Sequence, residues 1–353
     1  MNKIISGIQQ VGIGVKDARE AFAWYNKHFG MDVLVFEDAA TAAKMTPYTG
    51  GKAQTRFAML ALNMQSGGGF EIWQYESRIP QPPSFKVQLG DTGIFAVRLK
   101  SKNVAAAHQA FVKAGLDIVG GLHQDPAGND TFFIRDPWNN LFQLVNDTYW
   151  YANTKANNGG VAGTLIGVSN MERSVDFYKK ILGFNTTLYD VTGVFDDLKP
   201  IEGGGKKFRR VLLRQNEERL GAFSRLLGPA QVELIQALDG YEPRKIFENR
   251  YWGDLGFIHL CFDVTGMDLH EADCKNLGYP FTINSGNRFD MGEASGQFCY
   301  NEDPDGTLME YVETHKVPIF KPFGLYLNLR NRKKGKPLPD LVVKAMALNR
   351  VNV

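Results

Sequence analysis

The stretch Asn301–Val312 reads NEDPDGTLMEYV, and the stretch Ile134–Val145 reads IRDPWNNLFQLV. The two have one shape. Each passes through Asp-Pro and further turn-forming residues into an apolar run that carries a single polar side chain, Glu310 in one copy and Gln143 in the other. Asp-Pro initiates a turn, and Gly306 or Asn140 is expected to take the positive φ that follows. The turn is structural in both copies, and only the residue after it differs in chemistry.

A hairpin used twice points to an internal repeat, and the search for one decides the architecture. QQVGIGVKDAREAFAWYNKHFGMDVLVF, from Gln9, runs parallel to AGTLIGVSNMERSVDFYKKILGFNTTLY, from Ala162. Both read as strand, cap, amphipathic helix, glycine stop and strand. Asp17 with Glu20, and Ser169 with Glu172, have capping-box spacing. Phe22, Tyr25 and Phe29 fall at helical intervals, as do Phe177, Tyr178 and Ile181. Gly30 and Gly183 stand where a helix end takes a left-handed residue. Weaker copies begin at Ile94 and His259, with their helices ending at Gly115 and Gly278. After each helix come short strands, the last of them FEIWQYE from Phe70, NLFQLV from Asn140, QVELIQA from Gln231 and TLMEYVE from Thr307. The chain is thus a βαβββ unit repeated four times, an α+β design.

Strand parity adds a cleft. In QVGIGV, Val11, Ile13 and Val15 share one face, and Gln10, Gly12 and Gly14 share the other. A sheet buried on both sides would carry bulk on both, so the small-residue face is expected to line something concave. Trp73 and Tyr75 share a face with Glu71, which makes them either cleft-lining aromatics or core.

The repeat resembles the vicinal oxygen chelate superfamily, which includes glyoxalase I, extradiol dioxygenases and bleomycin-resistance proteins. The resemblance runs from about residue 5 to residue 315 and rests on the strand–helix pattern together with DPDGTLMEY. It implies units that pair into open barrels around a divalent metal, with ligands from the first and last strands of each unit. The matching positions here are Gln10 and Glu71, Ile94 and Gln143, Gly163 and Glu233, and His259 and Glu310. With consecutive units paired, residues 1–152 form an N-terminal domain whose Gln, Glu, Ile, Gln set is a poor metal cage. Residues 160–315 form a C-terminal domain in which Glu233, His259 and Glu310 hold the ion. One imidazole with two carboxylates suits zinc, nickel, manganese or iron. A competing reading pairs one of the glutamates with Arg209, Arg210 or Arg214, because a lone buried carboxylate needs a cation.

The resemblance further implies a metal-dependent isomerase or lyase that moves a proton beside a polarised carbonyl of a small organic substrate, with Glu310 as the base. An iron-dependent dioxygenase of extradiol or hydroxyphenylpyruvate type is disfavoured by Gly163, where a histidine would be needed. A binding protein without catalysis, like the bleomycin-resistance members, is the third reading.

The formal charge of +2 gives no reason to expect a nucleic-acid partner, and the basic run RNRKKGKP from Arg330 reads as a solvated face. The start has no apolar stretch of signal-peptide length, and no run of 18 apolar residues exists for a membrane span, so a cytoplasmic protein is expected. Cys261, Cys274 and Cys299 lack paired spacing and read as core residues. The histidines other than His259 read as surface residues. Residues 316–353 form an extension outside the repeat. Its LPDLVVKAMALNRV is expected to be a helix striped by Leu341, Lys344, Ala345 and Leu348, which either closes the C-terminal barrel or packs on a second copy in a homodimer.

Overall fold

The computed structural model describes residues 3–153, 156–286, 289–290, 295–320, 323–330 and 332–352. The first unit is β1 (Ile4–Val15), α1 (Ala18–Phe29), β2 (Val33–Thr41), β3 (Thr55–Leu62) and β4 (Gly69–Tyr75). The second is β5 (Gly93–Ser101), α2 (Val104–Lys113), β6 (Asp117–Gln124), β7 (Asp130–Arg135) and β8 (Leu141–Asn146). The third is β9 (Asn158–Gly167), α3 (Met171–Leu182), β10 (Thr186–Gly193), β11 (Phe208–Arg214), the single turn α4 (Ser224–Leu227) and β12 (Gln231–Ala237). The fourth is β13 (Gly256–Thr265), α5 (Met267–Asn276), β14 (Ile283–Asn284), β15 (Phe289–Asp290), β16 (Ser295–Glu302) and β17 (Leu308–Phe320). The extension adds β18 (Leu325–Asn328) and α6 (Asp340–Ala345).

Local chemistry sets these elements. The Asp17 carboxylate accepts from the backbone N–H of Arg19 at 2.9 Å and of Glu20 at 3.0 Å, which starts α1. Gly30 ends it with φ 64°. Phe22, Tyr25 and Phe29 are buried along its inner stripe. The third unit departs from the capping-box reading. Asn170 caps α3 by accepting from Arg173 N–H at 3.0 Å, while the Ser169 hydroxyl turns to Asp305.

The repeated hairpin owes its shape to its aspartate. Asp136 Oδ1 accepts from Trp138 and Asn140 N–H, and Asp303 Oδ1 accepts from Asp305 and Thr307 N–H. The positive φ falls on Gly306 (87°) and on Asn139 (70°). Asn140, the residue expected there, stands just before β8 and gives its N–H to Asp136. The second oxygen of each aspartate receives a tyrosine hydroxyl from a neighbouring unit. Tyr25 donates to Asp136 at 2.6 Å, and Tyr178 donates to Asp303 at 3.0 Å. The first unit therefore meets the second, and the third meets the fourth, through helix and hairpin.

Neither of these two pairs shares a sheet. One sheet runs β14-β16-β17-β13-β1-β4-β3-β2, and the other runs β10-β11-β12-β9-β5-β8-β7-β6. The first and fourth units form one half-barrel pair, with β1 antiparallel to β13 from Ile4↔Thr265 to Gly14↔Gly256. The second and third form the other through β5 and β9. Sheet pairing therefore crosses between the expected stretches 1–152 and 160–315 instead of staying within each. The first strand of each unit pairs on one side with the last strand of its own unit and has a free edge on the other. Another first strand satisfies that edge, and the repeat pattern does not say which one.

The main core joins the apolar faces of both sheets to α1, α2, α3 and α5. The extension packs on the sheet of the first and fourth units. There Val343 and Met346 are buried, while Leu341 and Leu348 are 82% and 59% exposed. The expected stripe is displaced because α6 is short and tightens into a 3-10 turn from Met346. Cys261, Cys274 and Cys299 are buried and unbridged. His270, read as a surface residue, is buried between the Phe281 and Tyr311 rings, and burial pushes its imidazole down to about 3. Among the described residues no helix is long and apolar enough to cross a membrane.

Candidate metal centre

β1 lies between β13 and β4, and Gly12 is paired with His259 on one side and Glu71 on the other. A Cβ on Gly12 would stand 2.4 Å from His259 Cε1 and 2.7 Å from both ring nitrogens. The absent side chain is the space the imidazole occupies as it leans across β1. The small-residue face read from the sequence thus lies over the cleft, and here it seats a ring.

His259 Nε2 comes to 3.0 Å from Glu310 Oε2 and 3.4 Å from Glu71 Oε2. Neither approach has the direction of a hydrogen bond, and among the described residues both ring nitrogens lack a hydrogen-bond partner, as does Glu71 Oε2. Gln10 completes the group. Its Nε2 is 3.5 Å from Glu310 Oε2, and its Oε1 is buried without a partner. All four side chains are buried, with His259 fully so. Burial alone would lower the imidazole, but Glu310 and Glu71 outweigh it and hold His259 up at about 9.

A donor atom from each of Glu71, His259 and Glu310 lies within 4.8 Å of the other two. Ligand distances of about 2.0–2.2 Å for nitrogen and oxygen place such atoms around one ion. Two carboxylates and a neutral imidazole match a divalent charge, and three protein ligands leave positions open for a substrate. The Gln10 amide is a fourth donor in reach, since its oxygen and nitrogen can exchange places by a flip. The orphaned buried atoms and this donor set fit a metal.

Glu233, the third ligand expected from the sequence, lies in the other sheet and already has its cations. Arg210 Nε donates to Glu233 Oε1 at 2.7 Å and Arg210 Nη1 donates to Asp197 Oδ1 at 2.8 Å. Arg98 Nη1 stands 3.8 Å from Glu233 Oε2. Burial would raise the Glu233 carboxyl, yet Arg210 and Arg98 hold it below the ordinary carboxylate range. Pairing with Arg210, weighed as the alternative from sequence, is the arrangement found. Among the described residues no histidine joins Glu233 in a group that could hold a metal. Register places Ala96, rather than Ile94, opposite Leu165 where His259 stands opposite Gly12, and Gln143 donates to Thr131 at 3.0 Å.

Sequence reasoning kept His259 and Glu310 and set aside Gln10 and Glu71, although both stand at family positions. The signal available was Arg98 and Arg210, two strand-interior arginines beside Glu233. They fill with fixed positive charge the cleft where an ion would sit.

Two cavities meet at the centre, both walled in part by Glu71 and Glu310. One, of about 250 Å³, is lined by Trp73, Trp252, Tyr300 and Arg56. The Arg56 guanidinium lies 4.9 Å over the Trp73 ring and donates to Asp38 at 2.8 Å. Tyr75 turns aside to give its hydroxyl to the Trp252 carbonyl. The other cavity, of about 80 Å³, is apolar.

The family model for the Glyoxalase/Bleomycin resistance protein/Dioxygenase superfamily matches the chain twice, over residues 7–144 and 160–311. Among solved structures, glyoxalase I from Zea mays is 14% identical with a TM-score of 0.54, covering 88% of this chain and 92% of that one. A mutant form of the same maize enzyme is 15% identical at 0.56, covering 88% and 92%. A candidate dioxygenase from Bacillus subtilis is 12% identical at 0.57, covering 88% and 86%. At these identities the likeness is one of fold. No curated protein matches the chain.

Proposed function

The chain belongs to the Glyoxalase/Bleomycin resistance protein/Dioxygenase superfamily, and from that premise we propose that it is a metal-dependent isomerase or lyase whose centre is Gln10, Glu71, His259 and Glu310. The carrying observation is that, among the described residues, buried side-chain atoms of Gln10, Glu71 and His259 lack hydrogen-bond partners and converge with the Glu310 carboxylate from β1, β4, β13 and β17. A divalent ion held there supplies Lewis-acid polarisation of a carbonyl and an adjacent oxygen. Glu310 takes the proton from the carbon next to the carbonyl, and the C–H electron pair moves toward the carbonyl oxygen. Returning the proton to the former carbonyl carbon, as the hydroxyl proton passes to the former carbonyl oxygen, yields the isomer with no net change in atoms or overall oxidation state. Where the carbon on the far side of the deprotonated one, β to the carbonyl, bears a leaving group, the enolate electron pair expels it with its bonding electrons and forms the carbon–carbon double bond of a lyase product. Tyr300, cross-strand from Glu310, has its phenol held protonated by burial and by the Glu310 and Glu71 charges, and it can donate to a substrate oxygen.

One imidazole and two carboxylates differ from the two-histidine, one-carboxylate set of iron oxygenases, which weighs against oxygen chemistry. The test follows solvent deuterium entering the C–H bond of 3-hydroxybutan-2-one, with oxygen uptake recorded on the same samples. Metal-dependent exchange without oxygen uptake is the expected result. Oxygen uptake would overturn the proton-transfer reading, and stoichiometric metal with neither activity on this ketone and its longer homologues would favour a binding protein.

Gly12→Ala tests the seat of the imidazole. The added methyl overlaps the ring, so metal affinity, read by competition with a chromophoric chelator, is expected to fall about 10- to 100-fold. Gly205→Ala, where a Cβ meets open space, is expected to leave it unchanged. Equal affinities in the two variants would contradict the assignment.

A further inference from the structure

The apolar cavity beside the centre is the feature the proton-transfer reading leaves unused. Its wall is built from Val35 on β2, Leu60 on β3, Leu226 on α4, Phe298 on β16, Val317 on β17 and Met346 behind α6. Among the described residues its only charged groups are Glu71 and Glu310. At about 80 Å³ it has room for roughly six water-sized groups, and an apolar cavity of this kind favours hydrocarbon over water.

Part of the wall comes from outside the repeat. Arg225 pairs with Asp340 at 3.0 Å, Arg350 pairs with Asp32 at 3.0 Å, and Val351 N–H donates to the Asp32 carbonyl at 2.9 Å. These contacts fasten the C-terminal extension across the sheet of the first and fourth units and hold Met346 over the cavity. The extension thus has a place at the candidate centre.

We infer that the substrate is an α-oxygenated carbonyl compound bearing an uncharged aliphatic substituent of about five carbons, which enters this chamber while its two oxygens meet the centre. This rests on the proton-transfer reading of the same site. A substituent ending in a carboxylate is excluded, because among the described residues the only charged groups in the chamber are the carboxylates Glu71 and Glu310. The larger compartment, with its tryptophans and surface opening, takes the remainder of the molecule.

The test uses the full-length chain loaded with zinc, nickel or manganese, and calorimetric titration with linear alkyl hydroxamates from acetohydroxamate to octanohydroxamate. Each presents two adjacent oxygens to a metal and a tail of known length. The dissociation constant is expected to fall about fourfold per methylene and to level off near five tail carbons. The monohydroxamate of adipic acid, of the same length as hexanohydroxamate but ending in a carboxylate, is expected to bind at least about 100-fold more weakly. Met346→Trp should flatten the series, and Met346→Ala should extend it by one or two methylenes. A flat series in the wild type, or equal binding of the charged and neutral tails, would overturn the chamber assignment alone. Acetohydroxamate binding no tighter with metal than without, or failure to load any of the three ions, would instead bring down the metal centre and this inference with it.

Discussion

Glu310→Gln is expected to lower kcat about a thousandfold at saturating metal, with KM changed only a few-fold. The amide keeps an oxygen for the ion but cannot accept a proton, and general-base contributions run about 10²- to 10⁴-fold. A fall in kcat without a matching rise in KM marks an interaction made in the transition state. Metal content must be measured on the same sample, because Glu310 is also a donor. If kcat falls only in proportion to lost metal, Glu310 is a ligand and the base lies elsewhere. Glu71→Gln is the internal comparison and should cost less at equal occupancy. Equal losses would remove the distinction between the two carboxylates.

Arg210→Ala carries the largest expected cost in stability. Arg210 is fully buried between Glu233 and Asp197, and its removal leaves two buried carboxylates with Arg98 at 3.8 Å from one of them. Breaking a buried pair from one side costs about 3–5 kcal/mol, because the remaining charge has lost its partner. The loss should depend on pH in a defined direction. In the wild type the Glu233 carboxyl is held low, so its contribution is present above the ordinary carboxylate pKa and declines as pH falls through the lowered value. In the variant, burial is opposed by Arg98 and, to a lesser degree, by the Tyr189 hydroxyl, and the carboxyl rises. The deficit is then greatest near neutral pH and shrinks toward pH 5. Urea midpoints at pH 7.5 and 5 measure this, and Arg210→Ala with Glu233→Gln should be less destabilised than the sum of its parts. Midpoints equal to wild type at both pH values would mean that this ion network contributes nothing.

What the sequence made legible follows from the range of the forces involved. Caps, glycine stops, helix stripes and the Asp-Pro turns depend on residues within a few positions of one another, and Asp17, Gly30 and Asp303 serve as read. Ser169 and Asn140 were each misassigned by one residue, because adjacent residues competed for the same backbone N–H groups. His259 and Glu310 were legible because both lie in one unit. The partner unit was not, since β1 meets β13 from the far end of the chain. Glu71 in FEIWQYE and Glu233 in QVELIQA look alike in sequence, and only the sheet order decides which one faces His259. Had the arginines in IFAVRLK and FRRVLL been read as occupants of the cleft, Glu233 would have been spoken for and Glu71 left in need of a cation.

The most direct test is metal content per chain, measured by elemental analysis after reconstitution and desalting, in the wild type, Glu71→Ala and Glu233→Gln. The centre drawn from the first and fourth units predicts about one ion in the wild type and in Glu233→Gln, and none in Glu71→Ala. Full occupancy in Glu71→Ala with loss in Glu233→Gln would contradict it and return the ion to the set expected from sequence.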